Sequence, residues 1–144
     1  MLEIKSFKGG YDNNFGYILY DKDTKEAIII DTAINPEILL QFITGNKLKL
    51  QFAVVMHSHF DHCVNLNYYR ENKISLYGSE KLTFDIDKRL KDGDELKLGT
   101  STLKIISAPG HTPDCILIYV EGKLFTTDVL FIDACGRCDL SGGD

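Results

Sequence analysis

The sequence predicts an α+β fold in which short strands outnumber helices. Leu2–Phe7 alternates apolar and polar residues with a period of two, as half-buried strands do. Short apolar runs recur between turn-rich segments, whereas helix signals appear in few places, so we expect about nine strands and about two or three helices. With 144 residues, 44% of them apolar and 26% charged, the chain has the composition of one globular domain.

The first part of the chain predicts a hairpin followed by a helix. Phe15–Tyr20 and Ala27–Asp31 are apolar runs joined by a turn-rich segment, which indicates an antiparallel pair. The helix begins after Asn35, because Asn is a favoured N-cap and Pro36 suits the first helical position. Gly45 ends the helix. Its apolar face carries Ile38, Leu39, Phe42 and Ile43.

The second part consists mostly of strands. Phe52–Met56 is continuously apolar, which is typical of a strand buried on both faces. A histidine-rich loop follows it directly, and the next helix is expected from Val64 to Asn72. The remaining strands are expected at Ile74–Tyr77, Glu95–Leu98, Thr102–Ser107, Cys115–Val120 and Leu124–Thr126.

Charge and hydropathy exclude several classes of function. The chain has 16 Lys and Arg against 21 Asp and Glu, a net charge of −5, which disfavours a nucleic-acid partner because a duplex-binding face needs clustered cations. No apolar run is long enough to span a membrane, so no membrane partner is expected. The N-terminal residues do not have the pattern of a secretory signal, and we expect a cytoplasmic protein with reduced cysteines.

All four histidines lie in two short stretches, His57-Ser-His-Phe-Asp-His62 and Pro109-Gly-His-Thr-Pro113. In the first stretch His57 and His59 alternate and can face one point, while Asp61 and His62 face a neighbouring point. Imidazole suits zinc, iron and manganese, and a carboxylate can bridge two ions. A metal site therefore explains the cluster better than a loop of surface histidines does.

Two further candidate ligands follow strands. His111 lies in a turn stiffened by two prolines and a glycine, which would fix it at the end of a strand. Asp128 follows the strand that begins at Leu124 and is a candidate bridging carboxylate, although an Asp at such a position, taken alone, is more often a turn or cap residue.

In this order of motifs the chain resembles the metallo-β-lactamase superfamily. The motifs are H-x-H-x-D-H, then P-G-H-T, then an Asp after an F-T-x-D strand, and they cover nearly the whole chain. The resemblance implies an αββα sandwich with its metal site at the edge between two sheets, and a single domain over residues 1–144. It implies one or two Zn²⁺ ions, with Fe²⁺ or Mn²⁺ as alternatives. The implied ligands are His57, His59 and His111 for one metal, Asp61 and His62 for the second, and Asp128 as the bridge.

Within this superfamily, residues 130–144 resemble a segment of glyoxalase II-like thioester hydrolases and of persulfide dioxygenases. Both groups act on glutathione derivatives. Arg137 lies where glyoxalase II has a basic residue for the glutathione carboxylate, and a guanidinium can bind a carboxylate through two hydrogen bonds. An exposed surface arginine is the alternative. Cys135 and Cys138 form a C-x-x-C without a helix or a second pair, which disfavours a redox or zinc role.

The chain departs from the superfamily pattern in two ways. Thr127 stands where the family has a glycine, which puts strain on the turn before Asp128 if that position needs a positive φ. The usual C-terminal half, with a further histidine ligand and helices that cover one sheet, is absent. Three explanations stay open: the sequence is a fragment, the second metal site is incomplete, or another chain completes it, for example in a homo-oligomer.

The resemblance implies a metal-dependent hydrolase of glyoxalase II type that acts on a small-molecule thioester or thiol-derived substrate. A metal lowers the pKa of its bound water to about 7 and so supplies hydroxide, and Asp61 would orient this nucleophile. A mononuclear Fe(II) persulfide dioxygenase using His57, His111 and Asp128 is the first alternative. An inert metal-binding fragment is the second.

Overall fold

The computed structural model describes residues 2–9, 14–58, 60–108 and 113–126, with the backbone alone at 60 and 61. These residues form ten strands and three helices. The strands are β1 (Leu2–Gly9), β2 (Asn14–Asp21), β3 (Glu26–Ile30), β4 (Lys49–Val55), β5 (Leu76–Ser79), β6 (Lys88–Leu90), β7 (Glu95–Leu98), β8 (Ser101–Ser107), β9 (Ile116–Val120) and β10 (Lys123–Phe125). The helices are α1 (Pro36–Gly45), α2 (Phe60–Cys63) and α3 (Leu66–Glu71). The strand-dominated α+β class predicted from the sequence is confirmed.

The strands form two sheets. The first has the order β1-β2-β3-β4-β5-β6, antiparallel up to β3 and parallel from β3 to β6. The second is antiparallel with the order β10-β9-β8-β7. Because β3, β4 and β5 are parallel, the helices connect them across one face of the first sheet, and their carboxyl ends lie at the same edge. The residues that follow β3 and β4 are thereby neighbours.

Two apolar layers hold the fold together. One lies between the sheets and the other between the first sheet and the helices, so that β3 and β4 are buried on both faces. Fully burying each aliphatic side chain contributes about 1.5–3 kcal/mol. The layer between the sheets includes Ile28, Ile30, Val54, Leu98, Ile105 and Ile118. The layer beneath the helices includes Ile29, Leu39, Ile43, Val55, Leu66 and Tyr69.

Strand β4 contains a bulge at Gln51. Leu50 pairs with Ala27 and Phe52 pairs with Ile28, so Gln51 has no partner in β3. In a regular strand residues two apart face the same side. Here Leu50 packs on the helical layer, whereas Phe52 packs between the sheets. The bulge therefore rotates the second half of β4 relative to the first.

Helix α1 begins as predicted, whereas the helix expected from Val64 to Asn72 is wrong in its bounds. Asn35 caps α1, and its Oδ1 accepts a hydrogen bond from the N–H of Glu37 at 2.9 Å. In place of one later helix there are two short ones, α2 and α3, separated at residues 64–65. At this break Asn65 is the N-cap residue of α3, and its side-chain amide donates to the carbonyls of Thr32 and Ile34. No helix in the described parts of the chain has the length and hydropathy needed to cross a membrane.

At the opposite end of β3 from its carboxyl end, two turns meet. The carboxylate of Asp21 accepts hydrogen bonds from the N–H groups of Asp23 at 2.8 Å and Thr24 at 3.0 Å. The N–H of Gly99, between β7 and β8, donates to Oε1 of Glu26 at 2.7 Å. We call this meeting of the turn after β2, which contains Asp21, with the turn after β7, which contains Gly99, the β2–β7 turn contact; it joins the two sheets.

The stability of the protein should depend on pH through Asp21. Hydrogen bonds from the backbone of Thr24 and Asp23 hold the pKa of Asp21 below its usual value. Its charged form is therefore favoured in the folded state, so this contribution is present above the unfolded pKa of about 3.9 and is lost as the pH falls through the folded pKa. We expect Asp21→Asn to lower the free energy of unfolding at pH 7 and to have a shrinking effect below about pH 4.

Urea unfolding of both proteins across this pH range measures the difference. Asp85→Asn removes a carboxylate from an exposed position and is the matched control for the change in net charge. A difference between wild type and Asp21→Asn that stays constant from pH 7 to pH 2 would contradict the assignment.

Candidate metal centre

The structure brings together two of the histidines predicted to bind metal. His57 follows the carboxyl end of β4 and His62 lies in α2. Their side chains are 0% and 1% exposed, and the centroids of the two rings are 4.1 Å apart with the planes inclined at 53°. Two buried imidazoles therefore lie side by side at the edge of the first sheet.

Asp31 orients the ring of His62. It follows β3 directly, and its N–H donates to the carbonyl of Val54 in the adjacent β4 at 3.0 Å. Its two carboxylate oxygens lie 2.7 and 2.9 Å from Nδ1 of His62. This geometry requires the hydrogen on Nδ1, where it is donated to the carboxylate, and leaves the lone pair on Nε2. A carboxylate that accepts from one ring nitrogen is the usual support of an imidazole that binds metal through the other.

The surroundings of Asp31 are apolar, and this is reflected in several pKa values. Burial raises the pKa of the Asp31 carboxyl, against the opposing hydrogen bond and charge of His62. Burial and the negative charge of Asp31 also raise the pKa of the Tyr69 and Tyr17 hydroxyls. Both tyrosines therefore stay neutral, and the buried carboxylate is stabilised by hydrogen bonds from Nδ1 of His62 and from the N–H of Ala33 at 3.1 Å.

The segment that carries His57 is also hydrogen-bonded to the residues that follow residues 109–112, up to the start of β9, and these residues are in turn hydrogen-bonded to the residue after β8. The N–H of Ser58 donates to Oδ1 of Asp114 at 2.9 Å, and the N–H of Ile116 donates to the carbonyl of Met56 at 3.1 Å. The N–H of Ala108 donates to the carbonyl of Cys115 at 3.0 Å. The described residues that flank 109–112 are thus fixed next to the segment that contains His57.

The other predicted site residues are not tested by the structure. His59, His111, Asp128 and Arg137 lie outside the described residues, as does the side chain of Asp61, and their roles stay predictions. Within the parts that the structure describes, no group of three or more ligating side chains is present. The donors that are described fit a metal, because both are buried imidazoles and one is oriented by a carboxylate.

Sequence reasoning missed four residues that support this site: Asp31, Thr32, Asn65 and Asp114. Asp31 was expected as the last residue of a strand, but it lies just beyond β3 with a φ of +77°. An acidic residue that ends a fully apolar run is a signal that could have identified it. Thr32, Asn65 and Asp114 carry no such signal, because their partners are main-chain atoms distant in the sequence.

Comparison with known proteins gives relatives described as hydroxyacylglutathione hydrolases. No family model matches the chain. It is 36% identical over 128 residues to hydroxyacylglutathione hydrolase 1 of Vibrio vulnificus (strain YJ016), an alignment covering 87% of this chain and 51% of that protein. It is 34% identical over 137 residues to hydroxyacylglutathione hydrolase of Francisella tularensis subsp. novicida (strain U112), covering 91% and 53%. The chain thus spans about half the length of the curated relatives it matches.

Solved structures resemble the fold over most of this chain. The BLEG-1 B3 metallo-β-lactamase has a TM-score of 0.77 at 27% identity, covering 90% of this chain and 73% of that one. ETHE1 from Myxococcus xanthus has a TM-score of 0.82 at 24% identity, covering 90% and 59%. At this level of identity the likeness to ETHE1 concerns the fold alone.

Proposed function

Starting from the metallo-β-lactamase fold that these comparisons establish, we propose that the chain is a metal-dependent hydrolase acting on thioesters of glutathione. The observation that carries the proposal is the hydrogen bond from Nδ1 of His62 to buried Asp31, with His57 alongside. A pair of this kind supports a histidine that binds metal. The hydroxyacylglutathione hydrolase relatives favour glutathione thioesters as the substrate class.

The proposed ligands follow the sequence prediction: His57, His59 and His111 for one metal, Asp61 and His62 for the other, and Asp128 between them. Zinc is the proposed metal, because two or more imidazoles with a carboxylate suit it, and Fe²⁺ or Mn²⁺ are the alternatives. When bound, the metal supplies a water molecule whose pKa is lowered to about 7.

The residues of this chain then have distinct tasks. Asp31 keeps the hydrogen of His62 on Nδ1, so that Nε2 is the atom that binds. The burial of His57 and His62 excludes water from these ligands and strengthens the local electrostatic interactions. Asp61 would orient the nucleophile and accept its proton, and Arg137 would bind a carboxylate of the glutathione moiety.

The remaining expectations are part of the same proposal. We place the activity in a single domain over residues 1–144, in the cytoplasm, with a small-molecule substrate. The net charge of −5 disfavours a nucleic-acid partner.

The proposal is tested on the protein purified without added metal. We expect bound zinc by mass spectrometry, hydrolysis of S-D-lactoylglutathione, loss of hydrolysis after chelation and its recovery with Zn²⁺. His57→Ala should lose both metal and turnover while keeping the far-ultraviolet circular dichroism of wild type, and Asp85→Asn should keep all three.

Three results would contradict thioester hydrolysis. One bound iron with oxygen uptake on glutathione persulfide would indicate the persulfide dioxygenase alternative. Strong turnover of a phosphodiester without turnover of the thioester would indicate another hydrolase of this fold. A folded protein that binds no metal, or binds it without turnover, would indicate the inert fragment.

A further inference from the structure

The loop after β3 is attached to the segment that carries His62 by more than the Asp31 carboxylate. We call residues Asp31–Ile34 the β3 loop. The hydroxyl of Thr32 donates to the main-chain carbonyl of His62 at 2.5 Å. The Nδ2 group of Asn65 donates to the carbonyls of Thr32 and Ile34, each at 3.2 Å. The β3 loop and residues 62–65 are therefore joined in both directions.

These bonds hold His62 at two separate points. Asp31 holds the ring at Nδ1, and Thr32 holds the main chain at the carbonyl. A ring that is held only at Nδ1 can still pivot about that bond, which moves Nε2. Fixing the main chain of the same residue removes this freedom and so defines the direction in which Nε2 points.

The burial of Thr32 indicates that its hydroxyl is retained for this bond. Its side chain is 0% exposed, and a buried hydroxyl is unfavourable without a hydrogen-bond partner. Asn65 satisfies main-chain carbonyls that lie beyond the end of β3 and outside its ladder. It does so from the turn between α2 and α3, where it is the N-cap residue of α3.

We propose that Thr32 and Asn65 are positioning residues for a divalent cation bound at His62. The inference rests on the proposed metal centre but concerns residues that touch neither metal nor substrate. It predicts that loss of the Thr32 hydroxyl lowers the affinity for the cation at His62 by about 10–100-fold, while the affinity for the cation at His57 changes much less.

The test compares Thr32→Val, which keeps the shape of the side chain but removes the hydroxyl, with Thr32→Ser, which keeps the hydroxyl. In the metal-free protein, nitrogen-15 NMR of the His62 ring should give one tautomer, with hydrogen on Nδ1, in wild type and Thr32→Ser. In Thr32→Val, Asp31 still holds the hydrogen on Nδ1, but the ring signals should broaden and shift because the ring can pivot about that bond. Competition for Zn²⁺ with a chromogenic chelator measures the affinity for each ion. The second Zn²⁺ should bind more weakly to Thr32→Val than to wild type, and as tightly to Thr32→Ser as to wild type.

A second pair of variants keeps the test decisive if Thr32→Val does not fold. Asn65→Ala should reproduce the effects on the His62 ring and on the second equivalent. Asn72→Ala is its control, because the Asn72 amide donates to the carbonyl of Tyr68 at 2.9 Å at the exposed end of α3. If Asn65→Ala behaves like Asn72→Ala, the inference is overturned.

The outcomes separate this inference from the proposed function. Wild type that binds no Zn²⁺ refutes the metal centre. Wild type that binds two equivalents, with equal second affinities in Thr32→Val and Thr32→Ser, refutes only the positioning role. If a single equivalent binds, the NMR comparison decides, and His62 ring signals in Thr32→Val that match those of wild type in position and width refute the positioning role.

Discussion

Asp31→Ala is expected to lower the free energy of unfolding by about 3–4 kcal/mol and to weaken metal binding at His62 by about 10–100-fold. The carboxylate is the partner of a buried imidazole, and removing one member of such a pair leaves the other without compensation. The backbone adds to the loss. Asp31 has a φ of +77°, a region that Asp and Asn tolerate better than Ala does, by about 1 kcal/mol.

Asp31→Asn separates these contributions. Its side chain has nearly the same shape and suits the positive φ, so we expect a smaller loss of stability, about 1–2 kcal/mol, because the charge of the acceptor is gone. The weakening of metal binding should persist. Urea unfolding and competition with a chelator measure the two quantities, and Asp85→Ala, on an exposed carboxylate, is the control. Full metal affinity in both Asp31 variants would show that His62 does not depend on this support.

Gly99→Ala is expected to destabilise the protein by about 3 kcal/mol without changing metal binding. Gly99 has a φ of +59°, which costs an alanine about 1 kcal/mol. A Cβ at this position would also lie 2.6 Å from the carboxyl carbon of Asp21. The Asp21 carboxylate cannot move away without losing its hydrogen bonds to the N–H groups of Asp23 and Thr24. Overpacking of this kind costs about 1–3 kcal/mol.

Gly93→Ala is the matched control for Gly99→Ala. Gly93 has a φ of +89°, but a Cβ there would meet no atom within 4 Å. The difference between the two variants in urea unfolding therefore isolates the β2–β7 turn contact from the backbone strain. Equal losses would mean that this contact does not restrict the turn. Reduced metal affinity in Gly99→Ala would contradict the separation of this turn from the metal centre.

The sequence predicted the elements whose signals are local. The alternation in β1, the apolar run of β4 and the Asn35–Pro36 start of α1 all depend on near neighbours. His57 and His62 were found because their spacing is local as well. Strand β6 was missed because it has three residues, two of them exposed and charged, and no alternation to reveal it.

The supporting residues of the site could not be predicted because their partners are distant. Asp31 lies 31 residues from His62 and meets it only because β3 and β4 pair in parallel, which no local pattern specifies. The partner of Thr32 is a main-chain carbonyl, which every residue has. The partners of Asn65 are likewise main-chain carbonyls, 31 and 33 residues earlier in the chain.

The bulge at Gln51 sets the phase of β4, and with it the direction in which the strand delivers His57. In a strand without the bulge, Leu50 and Phe52 would lie on the same face of the sheet. With the bulge, Phe52 and the residues after it lie on the opposite face from the one that simple alternation from Leu50 would give. The side chain of Gln51 is exposed, so the identity of this residue matters little. Its presence as one extra residue matters more, because a strand shorter by one residue has to place either Leu50 or the run from Phe52 onward on the opposite face of the sheet. We therefore expect position 51 to tolerate substitution but not deletion.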